Sequence, residues 1–116
     1  MILIIENNKN ISNQFKDSLE IHELKYKIVN SAVEAYKLLC VDNVIFDIII
    51  TNLGLPDENG VEIIKYTKSR FDSIVIIYSG KKYNLRKSKF NYDYLFHKKD
   101  NSPSDIIEMI INGEIT

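Results

Sequence analysis

The sequence predicts an α/β domain in which helices cover both faces of a five-stranded, doubly wound parallel sheet. Five short aliphatic runs alternate along the chain with stretches of helical periodicity. Parallel neighbours need crossover connections, and right-handed crossovers place helices on both faces of the sheet. The 116 residues, 45% of them hydrophobic, are enough for one core, so residues 1–116 are expected to form a single domain.

The chain begins with a predicted buried strand and a predicted amphipathic helix. Met1–Ile5 is a continuous aliphatic run, which is typical of a strand that is buried on both faces. Residues 11–24 change to helical spacing, with charged residues on the other faces. A short second strand is predicted near Lys27–Asn30. The helix positions expected to face the core are Ile11, Phe15, Leu19 and His22.

A second helix and a third strand are predicted next. Ser31 with Glu34 three residues later resembles a capping box, and it predicts a helix that runs to about Cys40. Because Cys40 is the only cysteine, no internal disulfide can form, and its helical surroundings favour a buried thiol in a reducing cytoplasm. The aliphatic run Asp47–Thr51 predicts the third strand.

The third helix is expected to begin after a loop with a turn signal. Asn59 and Gly60 favour a turn and a helix start, because Asn caps helices and Gly tolerates positive φ. Residues 61–71 have the spacing of a helix. We interpret Asp57 and Glu58 as part of a solvated loop.

Two more strands and a final helix complete the pattern. Ser73–Tyr78 and Tyr94–His97 are the predicted fourth and fifth strands, and the segment between them has few apolar anchors, which predicts a trimmed or irregular helix. Ser102 followed by Pro103 predicts the start of the last helix, which continues to Gly113. Its expected buried face is Ile106, Ile107, Ile110 and Ile111.

The overall charge and the apolar runs exclude several classes of protein. The formal net charge of −1 provides no global field that would attract the chain to nucleic acid or to an anionic membrane. The amino-terminal apolar run has no basic leader, and no run approaches the roughly 20 residues of a spanning helix. A cytoplasmic protein without a membrane partner is therefore expected.

The residues that follow the strands are the candidate functional residues. Doubly wound sheets bind ligands beyond the carboxyl ends of their strands, near the point where the strand order reverses. The residues at these ends include an acid, several amides, a hydroxyl and basic side chains. They are Glu6, Asn7, Asn8, Asn52, Ser79, Gly80, His97, Lys98 and Lys99.

Three motifs at these strand ends resemble the receiver domain of bacterial two-component response regulators, over essentially the whole chain. They read ILIIENN, DIIITNLGLPDENG and IVIIYSG, and the second is the most specific, because Leu55, Pro56 and Gly60 stand at the family's spacing from Asn52. The resemblance implies a flavodoxin-like fold with strand order 2-1-3-4-5. In the family, the first strand ends in an acidic pair, the third in a phospho-accepting Asp, the fourth in Ser or Thr and the fifth in Lys.

The resemblance assigns these positions residue by residue. Asn52 stands at the phospho-acceptor position, Glu6 and Asn7 stand at the acidic pair that holds the metal, and Ser79 supplies the hydroxyl. Lys98 is our choice for the pocket lysine. Tyr94, read as the family's aromatic switch residue, would place His97 there instead, and counting back from Ser102 would favour Lys99. The alternative is that both lysines are simply solvated.

These substitutions predict a degenerate receiver without catalytic residues. An amide oxygen is a poor nucleophile, so Asn52 is not expected to form an acyl phosphate. Glu6, Asn7 and Asn52 together retain one carboxylate of three, so we expect neither a bound magnesium ion nor another cofactor. We hypothesise that Glu6 instead forms an ion pair with Lys98, the alternative being that Glu6 is free in solvent. On this interpretation the chain is not an enzyme.

A basic and aromatic segment is the candidate interaction surface. It consists of Lys81, Lys82, Arg86, Lys87, Lys89, Tyr94 and Lys99. Such a surface can contact a protein partner, for example a sensor kinase, an output protein or a homodimer mate. No DNA-binding or RNA-binding signature accompanies it, so nucleic acid is not expected as a partner of this domain alone. The alternative is a positively charged, solvated helix.

The sequence therefore favours a phosphorylation-independent signalling module that acts through protein association. A second hypothesis is the receiver and dimerisation part of a DNA-binding transcriptional regulator whose output domain is absent from this chain. The two differ in whether the encoding gene continues into an output domain.

Overall fold

A computed structural model describes residues 1–57, 60–80 and 91–116 of the chain. The strands are β1 (Ile2–Ile5), β2 (Tyr26–Val29), β3 (Ile48–Thr51), β4 (Ile74–Ser79) and β5 (Tyr94–His97). The helices are α1 (Lys9–Ile21), α2 (Ala32–Tyr36), α3 (Gly60–Arg70) and α4 (Pro103–Ile111). The helix predicted between β4 and β5 lies outside the described residues, as do Glu58 and Asn59.

The five strands form one parallel sheet in the order β2-β1-β3-β4-β5. Ile4 of β1 lies opposite Ile28 on one side and Ile50 on the other, and Ile50 in turn lies opposite Ile76. The predicted fold class and strand order are therefore confirmed. Because all strands point the same way, their carboxyl ends meet at one edge of the sheet, where the candidate residues lie.

Helices cover both faces of the sheet, as a doubly wound fold requires. On one face, Ile4, Ile50 and Ile76 pack in a cluster with Phe15 of α1 and Ile106 of α4. On the other face, a cluster joins strand residues to α2, the turn after it and α3. It contains Leu3, Ile5, Ile49, Ala32, Ala35, Leu39 and Ile63. Alternate strand residues thus enter opposite cores, which explains the uninterrupted aliphatic runs.

Polar residues define the starts of α2 and α4. The Ser102 hydroxyl accepts a hydrogen bond from the Asp105 N–H (3.2 Å), and the Asp105 carboxylate accepts one from the Ser102 N–H (2.8 Å), which forms a complete capping box. The Ser31 hydroxyl caps α2 through the Glu34 N–H (3.3 Å). The Glu34 carboxylate, however, accepts from the Asn30 N–H (2.9 Å). The capping box predicted at α2 is therefore only half formed, because the Glu34 carboxylate accepts from the N–H of Asn30 instead of that of Ser31.

Three residues expected in the core are exposed. His22 forms the exposed C-cap of α1, and Ile111 at the end of α4 is 44% exposed. Cys40 is also exposed, because α2 continues from Lys37 as a π-helical turn in which the Asp42 N–H donates to the Lys37 carbonyl. This wider turn changes the angular spacing of the side chains, and Leu39 enters the core in place of Cys40.

Within the described ranges, none of the helices combines the length and the apolar character that crossing a membrane requires.

Candidate functional site

Main-chain pairing brings the candidate residues together at the carboxyl edge of the sheet. The Asn52 N–H donates to the carbonyl of Ile5 (3.0 Å), so the end of β3 lies beside the end of β1. The Lys98 N–H donates to the carbonyl of Ser79 (2.8 Å), so the residue after β5 lies beside the end of β4. The side chains of Glu6, Asn52 and Lys98 therefore belong to one site.

An ion pair between Glu6 and Lys98 crosses this site. The Lys98 ammonium donates a hydrogen bond to Oε1 of Glu6, which joins the ends of β1 and β5. The Glu6 side chain is only 3% exposed and that of Lys98 is 19% exposed. The hypothesised ion pair is thus present, and the alternative of a solvent-exposed Glu6 is wrong. Among the alternative registers, His97 is the last residue of β5, and Lys99 is exposed.

Burial dominates the electrostatics of Glu6. Desolvation raises the pKa of its carboxyl above the ordinary value of 4.5, and this effect outweighs the Lys98 ammonium, which favours the ionised form. Weaker interactions with the Asn52 side chain and the Asn7 backbone act in the same direction as Lys98. The second oxygen, Oε2, is buried and has no hydrogen bond of normal geometry from any described residue. The ion pair with Lys98 is therefore the main interaction that stabilises this carboxylate.

This arrangement predicts a particular pH dependence of stability. Because the pKa of Glu6 is raised in the folded state, the native protein binds more protons than the unfolded chain above pH 4.5, until the raised pKa is passed. The contribution of Glu6 to the free energy of unfolding is therefore fully present below pH 4.5 and is lost as the pH rises through the folded pKa. Urea unfolding at several pH values should show wild type losing stability relative to Glu6→Gln across this window. A difference that does not change with pH would contradict the prediction.

The Asn52 amide takes part in a local hydrogen-bond network. Its Oδ1 accepts from the Gly54 N–H (3.3 Å), and its Nδ2 donates to Oδ1 of the exposed Asn7 (3.2 Å). Both ends of the half-buried amide are thus engaged by neighbours at the same strand ends. This network uses a neutral donor, which a carboxylate at position 52 could not provide.

The loop after β3 lies against Asn52 because position 60 has no side chain. A Cβ atom at Gly60 would meet the carbonyl oxygen of Asn52, and it would lie 3.1 Å from the Cα of Leu53. The Gly60 N–H also donates to the carbonyl of Leu53 (2.9 Å). The glycine is therefore required by the close approach of α3 to the end of β3.

Replacing Gly60 by alanine should destabilise the protein, because the new methyl group would push against main-chain atoms that have no rotamer to change. We expect a loss of about 1–3 kcal/mol in the free energy of unfolding, the range of overpacked sites, measured by urea denaturation. Gly54→Ala is the matched control, because a Cβ there has no heavy atom within 4 Å. Equal losses in the two variants would contradict this explanation.

Asp57 has a structural role that the sequence analysis missed. Its two carboxylate oxygens accept hydrogen bonds from the N–H groups of Ala32 and Val33, both at 2.9 Å. These are N–H groups in the first turn of α2, which lack partners within the helix. Asp57 is thus an exposed loop residue, as interpreted, but it also caps the start of α2. Nothing local in the sequence marks a contact between residues 25 positions apart.

The donors at this site do not fit a magnesium ion, which the fold family implies. Magnesium prefers carboxylates and dehydrates reluctantly. Of Glu6, Asn7 and Asn52, only Glu6 supplies a carboxylate, and that carboxylate is paired with Lys98. Within residues 1–57, 60–80 and 91–116, His, Cys, Asp and Glu side chains form no cluster of three or more that could hold a metal ion.

The candidate interaction surface is only partly described by the structure. Lys81, Lys82, Arg86, Lys87 and Lys89 lie outside the described residues. Lys99 is exposed. Tyr94 is half-buried, packs on the cluster between the sheet and α4, and stacks on Phe96 with ring centroids 6.3 Å apart. The Tyr94 ring therefore contributes to the core as well as to the surface of β5.

A cavity of about 450 Å³ opens beside the ion pair, between the starts of α1 and α2. Its polar lining includes Glu6, Asn7, Ser12, Asn30 and Glu34. Of these residues, only Glu6 and Asn7 were predicted from the sequence to be functional candidates. The others became part of the lining through the packing of the two helices against the end of β2.

Comparisons with known proteins agree with this geometry. The sequence profile of the response regulator receiver domain family matches residues 2–110. No curated protein sequence matches the chain. Solved structures with similar folds include a CheY-like receiver domain protein from Methanospirillum hungatei, with a TM-score of 0.80 and 24% identity over 97% of this chain and 90% of that chain.

Two further receiver domains have the same fold. One, CheY-like and from Methylobacillus flagellatus, has a TM-score of 0.75 and 23% identity, and the alignment covers 99% of this chain and 97% of that one. The other, from Clostridium thermocellum, has a TM-score of 0.74 and 24% identity over 96% of this chain and 90% of that one. Structural similarity at these identities establishes the fold.

Proposed function

Because this chain belongs to the response regulator receiver domain family, a family of signalling domains rather than classical enzymes, we propose that it is a receiver that signals without aspartyl phosphorylation. In this proposal Asn52 occupies the phospho-acceptor position, Glu6 and Asn7 occupy the acidic pair, and Ser79 and Lys98 occupy the hydroxyl and lysine positions. The module acts by associating with another protein. The observation that carries the proposal is the amide of Asn52 at the end of β3.

The chemistry of Asn52 supports the loss of phosphotransfer. Formation of an acyl phosphate requires a carboxylate oxygen that attacks the phosphoryl group. The Asn52 oxygen is neutral and accepts a hydrogen bond from Gly54, while its nitrogen donates to Asn7. The nearby carboxylate of Glu6 is buried and paired with Lys98, so it is not available as a substitute nucleophile.

The Glu6–Lys98 pair supports the proposal because it gives the pocket lysine an anionic partner without a phosphoryl group. In the family, the lysine is available to an anionic aspartate or to its phosphoryl group. Here the Lys98 charge is neutralised by Glu6, and the pair links β1 to β5. The conformation of the domain is then set by this link and by whatever protein binds it, rather than by phosphorylation.

The surface around β5 is the proposed contact for a protein partner. Leu95 on this edge strand is 42% exposed, and Lys99 is exposed shortly after it. Receiver domains in general interact with kinases and output domains, and a mixed apolar and basic surface suits a partner with an acidic rim.

The test is incubation of the purified protein with a small-molecule phosphodonor and magnesium, followed by intact-mass measurement. We expect no added phosphoryl group. A stable phosphoryl adduct on the wild-type chain would overturn the proposal. Affinity capture from the native cell lysate at two salt concentrations, with mass-spectrometric identification, tests the association. A protein partner whose binding weakens when Leu95→Asp is used as bait supports the β5 surface, and unchanged capture argues against it.

A further inference from the structure

A second cavity lies at the opposite, amino-terminal edge of the sheet, far from Glu6 and Lys98. It has a volume of about 400 Å³ and forms where the chain enters β3 and β4 and where α3 ends. Its apolar lining includes Phe46, which is 2% exposed, and the half-buried Phe71 and Ile74. This edge of the sheet has no part in the proposed receiver function.

Two hydrogen bonds join the segments that line this cavity. The Ser73 hydroxyl donates a hydrogen bond to the Phe46 carbonyl (2.6 Å), and the Ile74 N–H donates to the Asp47 carbonyl (2.9 Å). The segments that lead into β3 and β4 are thus joined before the sheet begins. A side chain entering the cavity would meet a preformed surface and would not need to order it.

An apolar side chain projects from the rim of the same cavity. Ile45 lines the cavity and is nevertheless 75% exposed. Single exposed aliphatic residues are common on protein surfaces. Here, however, an exposed aliphatic side chain stands at the rim of a cavity that is lined half by apolar and half by polar residues, so the face carries both a projection and a recess.

The charges on this face are also complementary to each other. The Arg70 guanidinium lies over the Tyr66 ring (4.4 Å to the centroid) and donates to the Ser69 hydroxyl (3.1 Å), and no described carboxylate pairs with it. Asp72, two residues later, has no cation partner among the described residues. Both residues line the cavity. The lining thus contains a cation and an anion that form no ion pair with the described residues, together with Asp47, whose carboxylate pairs with the amino-terminal ammonium of Met1.

We propose that this face is a two-fold dimerisation surface whose partner is a second copy of the chain. In such an isologous contact, Ile45 of each copy enters the cavity of the other, and Arg70 of each copy pairs with Asp72 of the other. Because both copies use the same face in a two-fold contact, no further copy can be added, and the assembly is a dimer and not a filament.

The combination of features favours a second copy over an unrelated protein. A partner of single charge would leave either Arg70 or Asp72 against a like charge, whereas a two-fold copy satisfies both. A second copy also supplies a projection that matches the recess. The proposal goes beyond the receiver function, since it uses neither Asn52 nor the β5 surface, and its failure would leave that function untouched.

The first test is the oligomeric state of the full chain by sedimentation velocity over a concentration series. Wild type should show a concentration-dependent monomer–dimer equilibrium. Ile45→Asp should raise the dimer dissociation constant by about 30-fold, the lower limit for a hot-spot residue. Ile21→Asp is the matched control, because Ile21 on α1 is also 75% exposed and does not line the cavity. It should leave the equilibrium unchanged.

A charge-exchange experiment tests the geometry of the contact. Arg70→Asp and Asp72→Arg should each weaken self-association, because each places like charges opposite one another twice. An equimolar mixture of the two variants should associate again as a heterodimer, since every contact then joins opposite charges. The double variant Arg70→Asp/Asp72→Arg should also dimerise, and circular dichroism should show that all variants stay folded.

Each outcome decides the proposal. A wild type that is monomeric at every concentration overturns it, as does a dimer that Ile45→Asp and Ile21→Asp weaken equally. Failure of the mixed single variants to associate, while each is folded, overturns the proposed Arg70–Asp72 pairing. Recovery in both the mixture and the double variant supports a two-fold contact at this face.

Discussion

Replacing Asn7 and Asn52 together by aspartate should create a magnesium site and a phosphorylatable carboxylate. The double variant Asn7→Asp/Asn52→Asp would bring three carboxylates to the ends of β1 and β3, where the wild type has Glu6 alone. Without a metal ion, the counter-charge that the described residues offer these carboxylates is the Lys98 ammonium, which already pairs with Glu6. Magnesium should therefore raise the thermal unfolding temperature of the variant and not that of the wild type. A small-molecule phosphodonor with magnesium should then add a phosphoryl group to Asp at position 52.

The measurements are thermal unfolding with and without magnesium, and intact mass followed by mapping of the modified residue. Asn13→Asp, on the exposed surface of α1, is the control for an added negative charge elsewhere. Asn52→Asp alone should gain less magnesium stabilisation than the double variant, because it adds one carboxylate to that of Glu6 and leaves the site with two instead of three. If the double variant binds no magnesium and stays unmodified, the proposed assignment of Asn7 to the acidic pair and of Asn52 to the phospho-acceptor position is wrong.

Replacing Lys98 by methionine should strongly destabilise the protein at neutral pH. Methionine retains most of the apolar stem but removes the ammonium, so the Glu6 carboxylate would stay buried without a counter-charge. Removing one partner of a buried ion pair costs about 3–5 kcal/mol. We expect a loss near the lower end, about 3 kcal/mol, because Glu6 can take up a proton instead. For the same reason, the loss should shrink as the pH is lowered towards 4.5.

Urea unfolding of the single and double variants would measure this effect. Glu6→Gln combined with Lys98→Met should recover part of the loss, and the double-mutant cycle gives the coupling between the two side chains. Lys99→Met is the matched control, because Lys99 is exposed and adjacent in sequence. If Lys98→Met is as stable as wild type, the ion pair does not hold the pocket together.

The strand ends could be predicted because they depend on local patterns. Aliphatic runs buried on both faces of a parallel sheet are visible in a single sequence, and the residues that follow them must lie at the sheet's carboxyl edge. Glu6, Asn7 and Asn52 were therefore correctly placed near one another. The short α2 and its π-helical turn could not be predicted from periodicity, which is why Cys40 was wrongly expected to be buried.

The sequence by itself determined the fold class and the chemical character of the site. Its aliphatic runs specify the parallel sheet, and the amide of Asn52 is a poor nucleophile whatever its surroundings. These are properties of residue type and short-range order.

Only the tertiary structure decided which side chains pair across the sheet. The choice of Lys98 among three neighbouring residues depends on the register of β5 against β4, which the four residue pairs of this ladder set and which places the Lys98 N–H against the Ser79 carbonyl. Asp57 contacts the start of α2 in the same way, across separate elements. The cavity beside Ile45, at the amino-terminal edge of the sheet, also joins residues from separate elements. Such contacts follow from how whole elements pack. Glu6, for example, is desolvated and paired with Lys98 only once the chain has folded.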